Sequence, residues 1–185
     1  MQVSGSIIIT GLGGEKGNLS VPSDSAGNTY VQRGAILGYD GFPTYGNALA
    51  YATNARGGRP LIVTATKPSI PVDEMTFTAV EVMNASRISD FNINYAHAGQ
   101  IGRSGSVTTT GPAILLAWWW GDGDSTLAHI ATPNNGFTVI NQVLVQGGLV
   151  QCCVAYRKVS APGTYDVTWG MLPLEGAILW LVAVE

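Results

Sequence analysis

The residues best able to do chemistry in this chain are a small acidic cluster. Asp122 and Asp124 stand in the sequence Gly-Asp-Gly-Asp-Ser-Thr at 121–126. Two carboxylates beside a hydroxyl offer the hard oxygen ligands that Ca²⁺ prefers. The spacing does not continue into a calcium loop, because no glutamate follows in register, and a turn after a strand explains the cluster as well. We therefore predict no metal and no cofactor, and keep Asp122 and Asp124 as the metal candidates.

Catalytic residues are equally sparse. His97 and His129 are the only histidines, and no Gly-x-Ser-x-Gly nucleophile elbow accompanies them. Asp73 and Glu74 could form a glycosidase pair, but adjacent acids before a strand more often lie on a solvated edge. The sequence therefore predicts a protein that is not an enzyme.

Three consecutive tryptophans form the most distinctive aromatic feature. Side chains alternate along a strand, so Trp118 and Trp120 should point to one face and Trp119 to the other. An exposed indole could stack on a sugar ring. The preceding residues, Ile114–Ala117, favour burial in a core or a subunit interface instead. We expect core or interface, with carbohydrate as the alternative partner.

The elements that must position these residues are strands. Gly, Pro, Asn and Asp clusters separate short segments of alternating or continuous apolar residues, which is typical of an all-β sandwich. We predict a single β-sandwich of about 8–10 antiparallel strands, with jelly-roll and Ig-like strand orders both open. The segments are Gly5–Thr10, Thr29–Leu37, Asn47–Thr53, Pro60–Thr66, Met75–Met83, Ile114–Trp120, Gly136–Val145, Val150–Val159, Thr164–Gly170 and Ala177–Val184.

Two of these segments carry further expectations. Ala177–Val184 is apolar on both faces, so it must be covered on both sides, within a sandwich or by another subunit. Between the predicted strands, 85–105 is the least regular stretch. It should form a crossover that packs its hydrophobic residues at the edge of the core. These residues are Ile88, Phe91, Ile93 and Tyr95.

The N-terminal region looks different from the rest. Its sequence Gly-Leu-Gly-Gly-Glu-Lys-Gly-Asn at 11–18 lacks the Ser or Thr that follows the lysine of a phosphate-binding loop. We therefore predict a flexible arm over residues 1–23 and a β-sandwich domain over 24–185. Ile7, Ile8 and Ile9 of the arm, together with the three tryptophans, are our predicted interface residues.

Composition limits the partners. Only 11% of the 185 residues are charged, against about 25% in an average domain. The net charge of −3 and the scattered basic residues argue against nucleic acid. The longest apolar runs fall far below the ~18 residues of a membrane span, and the N-terminus does not resemble a secretory signal.

Cys152 and Cys153 should point to opposite faces of one strand and form no disulfide.

Several blocks of the chain resemble a recurring β-sandwich module of tailed-bacteriophage structural proteins and some bacterial surface proteins. They are Asp24-Ser-Ala-Gly-Asn-Thr-Tyr, Tyr51-Ala-Thr-Asn-Ala-Arg-Gly-Gly, Leu61-Ile-Val-Thr-Ala-Thr, Ser104-Gly-Ser-Val-Thr-Thr-Thr and Ala155-Tyr-Arg-Lys-Val-Ser-Ala-Pro-Gly-Thr-Tyr-Asp-Val-Thr-Trp. These are turn and strand patterns rather than a catalytic signature.

The resemblance implies a non-enzymatic virion protein, made in the host cytoplasm. A capsid decoration protein that binds the major capsid protein is the first expectation, and a tail-associated protein is the other location. Its low charge suits a homo-oligomer. A carbohydrate- or receptor-binding module of a tail fibre or surface protein is the alternative.

Overall fold

Antiparallel strands account for most of the computed structural model, which describes residues 5–56, 60–67, 74–122, 128–147 and 150–185. A short 3-10 helix spans Lys16–Asn18. The first eight strands are β1 (Ser6–Glu15), β2 (Ser23–Asp24), β3 (Val31–Gly38), β4 (Tyr45–Ala55), β5 (Val63–Thr64), β6 (Thr76–Val82), β7 (Ile88–Ala96) and β8 (Gly102–Arg103). The others are β9 (Val107–Thr109), β10 (Ala113–Asp122), β11 (Ile130–Pro133), β12 (Thr138–Val143), β13 (Val150–Val159), β14 (Gly163–Tyr165), β15 (Thr168–Leu172) and β16 (Ala177–Val184).

Two sheets form the body of the molecule. The first sheet has four strands in the order β3-β4-β1-β6, and the central sheet has five in the order β12-β13-β10-β16-β7. Their strand pairs are all antiparallel. The prediction of an all-β, sandwich-type fold is confirmed, and the strands of these two sheets match the expected number of about 8–10.

Strand β16 lies inside the central sheet, between β10 and β7, and all eight of its residues are buried. Trp180 and Val182 pack toward the first sheet, in a cluster that includes Ile9. Leu179 and Leu181 pack on the other face. The apolar character of both faces is therefore explained within one chain, without a second subunit.

A further layer covers the face of the central sheet that points away from the first sheet. It consists of the three-stranded sheet β11-β15-β8 and the pair β14-β9. Val167, Trp169 and Met171 are buried between this outer layer and the central sheet. The sequence predicted one strand in this region, Thr164–Gly170, where the structure has β14 and β15. It did not predict the other strands of the layer, which are only two to four residues long.

The prediction of a flexible arm over residues 1–23 is wrong for strand β1. This strand pairs with β4 on one side and β6 on the other, and only its last residue is not fully buried. Its glycines permit close packing on Trp120. An added Cβ would lie 2.8 Å from the Trp120 ring at both Gly11 and Gly13, closer than real Cβ atoms approach. Residues 1–4 lie outside the described part of the chain.

Strand β7 occupies part of the stretch that the sequence suggested was irregular. It pairs along its length with β16 and forms one edge of the central sheet. The expected packing of its hydrophobic residues is confirmed, since they lie against the core between the two main sheets. These residues are Ile88, Phe91, Ile93 and Tyr95.

The first block of the resemblance is a turn that is closed by one carboxylate. Asp24 Oδ1 accepts hydrogen bonds from the backbone N–H groups of Ala26 and Asn28, each at 3.0 Å, and Asp24 Oδ2 accepts one from the Tyr30 hydroxyl at 2.9 Å. Partial burial raises the pKa of Asp24, but these hydrogen bonds outweigh it and lower the pKa below its ordinary value. The block therefore has a structural role.

Candidate association surface

The tryptophan row is entirely inside the molecule. Trp118, Trp119 and Trp120 are each at most 1% exposed. As predicted, Trp118 and Trp120 face the first sheet, and Trp119 faces the outer layer. The Trp118 indole N–H donates to Thr78 Oγ1 at 3.0 Å. The core interpretation is therefore correct, and the suggested sugar platform or subunit contact at these rings is wrong, because no indole face reaches the surface.

The isoleucines assigned to an interface are also core residues. Ile7 and Ile9 belong to the cluster between the two main sheets, and Ile8 packs on the outer face of the first sheet. All three are at most 2% exposed. The prediction that they form an interface is wrong, because β1 is an internal strand of the first sheet and both faces of this sheet are covered by apolar residues.

The acidic cluster falls at the limit of the described residues. Asp122 ends β10, only its backbone is described, and Asp124 and Asp73 lie outside the described residues. Within the described ranges, no group of three His, Cys, Asp or Glu side chains is placed to hold a metal ion. Nor does any helix in those ranges have the length and apolar character needed to cross a membrane.

The two histidines have different environments. The imidazole of His97 contacts the carboxylate of Asp40, and both side chains are about 60% exposed. His129 is buried, and its Nδ1 lies 2.8 Å from Glu175 Oε1. Neither pairing is predictable from the sequence, because each joins segments that are distant along the chain.

The cysteines are buried and unbridged. Cys152 faces the first sheet and Cys153 the outer layer, as the alternation of a strand predicts. Burial raises the pKa of Cys153 to about 12, so its thiol stays protonated at neutral pH.

A cluster of large aliphatic side chains is exposed at one end of the outer layer. We call it the aliphatic patch. Its members are Ile101, Ile130, Leu172 and Leu174, which are 71%, 53%, 63% and 51% exposed.

Strand pairing brings the members of the patch together. Ile130 of β11 is the direct partner of Leu172 in β15, so both side chains stand on the same face of that sheet. Ile101 precedes Gly102, which pairs with Trp169 on the other side of β15. The patch therefore extends from β11 across β15 to the residue that precedes β8.

Hydrogen bonds hold the margins of the patch. The backbone N–H of Gly99 donates to the carbonyl of Leu174 at 2.8 Å, and that of Arg103 donates to the carbonyl of Ile101 at 2.9 Å. Arg103 also donates from Nε to Asp166 Oδ2 at 2.9 Å. An apolar centre with a polar rim is the usual anatomy of a protein interface.

Comparisons with known proteins assign no role to this surface. A scan against protein-family models finds no family that matches the chain. Comparisons with curated proteins and with solved structures likewise find no match. The role of the patch therefore has to be argued from its own chemistry.

Buried polar groups position the patch from below. His129 directly precedes Ile130, and Glu175 directly follows Leu174. The 2.8 Å contact between these two side chains therefore ties together the segments that carry two members of the patch. The Trp119 ring packs edge-on against the His129 ring, with centroids 6.4 Å apart.

The underside of β15 adds a further anchor. The indole N–H of Trp119 donates to Met171 Sδ at 3.2 Å, and Met171 adjoins Leu172. The exposed aliphatic side chains consequently lie above buried residues that contact one another. No sequence signal marks the patch, because burial alternates along Met-Leu-Pro-Leu-Glu at 171–175 but polarity does not.

Proposed function

We propose that this protein is a non-enzymatic structural protein of a tailed-bacteriophage particle, a capsid decoration protein that binds the capsid surface. The aliphatic patch is the observation that carries the association role. Soluble monomers seldom expose several large aliphatic side chains together, and such patches with polar rims mark contact sites for other proteins.

The composition of the chain supports association as its mode of action. With 9 basic and 12 acidic residues among 185, two apposed surfaces would have few charges to remove from water. Removing an unpaired charge from water is costly, whereas covering apolar area favours association. A charge-poor protein with an exposed aliphatic patch is suited to stable contact with a capsid lattice.

The link to phage particles comes from the resemblance of the turn and strand blocks. Asp24 closes the first of these blocks with hydrogen bonds, so the block encodes a specific local structure. A decoration protein would be made in the host cytoplasm and would function on the virion, where it adds contacts between capsomers.

The test is binding to the parent particle. Purified protein is mixed with emptied heads and, separately, with tails, and each mixture is sedimented. We expect the protein to co-sediment with heads at a saturating, fixed copy number. Leu172→Glu should abolish binding, because it places a charge at the centre of the patch. Absence of binding to both heads and tails would refute the proposal.

Ile62→Glu is the matched control. Ile62 is 56% exposed, and its neighbours Leu61 and Val63 pack on the outer face of the first sheet, away from the patch. This variant adds the same charge and should bind heads as the unmodified protein does. Equal loss of binding in both variants would show that the patch is not the contact.

A carbohydrate- or receptor-binding role in a tail fibre or surface protein is the second candidate. The tryptophans are too deeply buried to serve it, but Phe42 is 53% exposed and follows Asp40, whose carboxylate contacts His97. An exposed aromatic ring could stack on a sugar, and a carboxylate and an imidazole could hydrogen-bond the hydroxyls of the sugar. Binding on a glycan array that disappears in Phe42→Ala would favour this function, and silence across the array would count against it.

A further inference from the structure

The outer edge of the central sheet is unusually exposed. Strand β12 pairs with β13 on one side, and within the described residues no strand pairs with its other side. All six of its residues are exposed. The large aliphatic side chains on and beside it, from 37% to 58% exposed, are Val139, Ile140, Val143 and Val145.

The opposite edge of the same sheet is covered by the chain itself. Side chains of β7 make hydrogen bonds to the segment that runs alongside it. Asn94 Nδ2 donates to the carbonyl of Arg103 at 2.8 Å, and the backbone N–H of Thr108 donates to Asp90 Oδ2 at 2.8 Å. This edge offers little backbone to a partner.

The two edges of the first sheet are also protected. Strand β3 loses its pairing register between Arg33 and Leu37, which breaks the edge into short pieces. Strand β6 carries the exposed charge of Glu81. Irregular pairing and charge are the usual means by which proteins prevent edge-to-edge association.

Strand β12 has little of this protection. Its one irregularity is a bulge between Val139 and Asn141, and its sequence Thr-Val-Ile-Asn-Gln-Val contains neither charge nor proline. The absence of charge extends far beyond the strand, since residues 125–156 contain no Asp, Glu, Lys or Arg. β-branched residues, which favour strands, make up four of the six residues of β12.

We propose that β12 pairs antiparallel with β12 of a second copy of this chain, so that two central sheets join across a two-fold axis. Antiparallel pairing of identical edges is self-complementary, because each strand meets the other in the same way. The uncharged stretch around β12 lets two copies approach without repulsion between like charges.

A second copy fits this edge better than a strand donated by another protein. Donated strands gain specificity from pockets that receive alternate side chains. The cavity beside β12, which is lined by Phe77, Thr78 and Val143 among others, has a volume of only about 30 Å³. A second copy of β12 needs only backbone hydrogen bonds and apolar contacts to pair with this edge, so it matches the edge better than a donated strand does.

This inference rests on the proposed function, since it names a partner for a protein that acts by association, but it uses a different surface from the aliphatic patch. Sedimentation equilibrium of the full chain is the test. Between about 1 μM and about 1 mM, we expect a monomer–dimer equilibrium. In Ile140→Lys/Val143→Lys, like charges would face each other across the axis, and we expect dimerisation at least about tenfold weaker.

The control variant is Val31→Lys/Ile62→Lys, which places the same charges at exposed aliphatic positions elsewhere. It should dimerise as the unmodified chain does. Amide hydrogen exchange gives an independent readout, because residues 138–143 should exchange more slowly as protein concentration rises. A monomer across the concentration range, or a dimer unaffected by the lysines in β12, would overturn the inference.

Head binding separates this inference from the proposed function. A β12 variant that is monomeric and still binds heads through the aliphatic patch supports both. An unmodified chain that is monomeric and binds heads overturns the dimer alone, whereas a dimer that binds no particle refutes the proposed function alone.

Discussion

Replacing Gly13 with alanine tests how the two main sheets are packed. Gly13 lies in β1 and faces the central sheet. A Cβ at this position would lie 2.7 Å from Val150 Cγ1 and 2.8 Å and 2.9 Å from two ring atoms of Trp120. Both neighbours are buried, and Trp120 is only 1% exposed. Neither can move away without disturbing the core around it.

The expected cost follows from these contacts. Overpacking a well-packed core by one methyl group typically lowers the free energy of unfolding by about 1–3 kcal/mol. Alanine has less conformational freedom than glycine in the unfolded chain, and this difference stabilises the folded state by about 0.4–1 kcal/mol, which offsets part of the cost. We therefore expect a net destabilisation of about 1–2 kcal/mol for Gly13→Ala, which in a chain of this size lowers Tm by about 2–8 °C.

Gly17→Ala is the matched control, because a Cβ at Gly17 would have no atom within 4 Å. Guanidinium denaturation and calorimetry of both variants provide the assay, and Gly17→Ala should lie within about 0.5 kcal/mol of the unmodified chain. Combining Gly13→Ala with Trp120→Phe should cost less than the sum of the single changes, because the smaller ring makes room. Equal stability of Gly13→Ala and Gly17→Ala would refute the packing argument.

Three further perturbations test individual interactions. Glu175→Ala should lower the free energy of unfolding by about 1–3 kcal/mol in guanidinium denaturation, because it removes a close polar neighbour of buried His129; stability unchanged by this substitution would contradict the anchoring of the patch. Asp24→Ala removes the acceptor of several hydrogen bonds in its turn and should cost about 1–3 kcal/mol, whereas an unaffected Tm would show that the turn forms without it. Hydrogen bonding from Arg87 lowers the pKa of Glu185 from 4.5 to about 2. The stabilisation contributed by the ionised Glu185 side chain is therefore complete above about pH 4.5 and is lost as the pH falls toward 2. NMR titration should show this depressed pKa and its rise in Arg87→Ala; an ordinary pKa in the unmodified chain would contradict the ion pair.

The strands with a clear apolar pattern were predictable from the sequence. Ala177–Val184 is an example, because a strand that is apolar on both faces must be covered on both sides. Its residues left open whether the cover came from the same chain. The answer depends on the outer layer, where the sequence predicts only Thr164–Gly170, because β8, β9 and β11 are two to four residues long and carry no recognisable alternation.

Two other elements were misjudged for physical reasons. Strand β7 contains Asp90, Asn92 and Asn94, which are uncommon in strands, yet at least Asp90 and Asn94 hydrogen-bond the chain that covers this edge. The glycines of β1 suggested flexibility, but Gly11 and Gly13 make room for tryptophan rings on the facing sheet. Both requirements come from residues that are distant in sequence.

The aliphatic patch could not be predicted either. Ile101, Ile130, Leu172 and Leu174 come from three separate segments, and each resembles an ordinary core residue in the sequence. Their exposure follows from the pairing of β11, β15 and β8, which places the alternate residues Met171 and Trp169 inward. Only the three-dimensional arrangement shows which alternate set is left outside.

The most direct test of the proposed assembly role is a cryo-EM reconstruction of the phage particle to which we propose that this chain belongs. We expect density for this chain on the outside of the capsid, at a fixed number of copies, with Ile101 and Leu172 in contact with the capsid protein. A complete particle in which this chain is absent from both head and tail would contradict it.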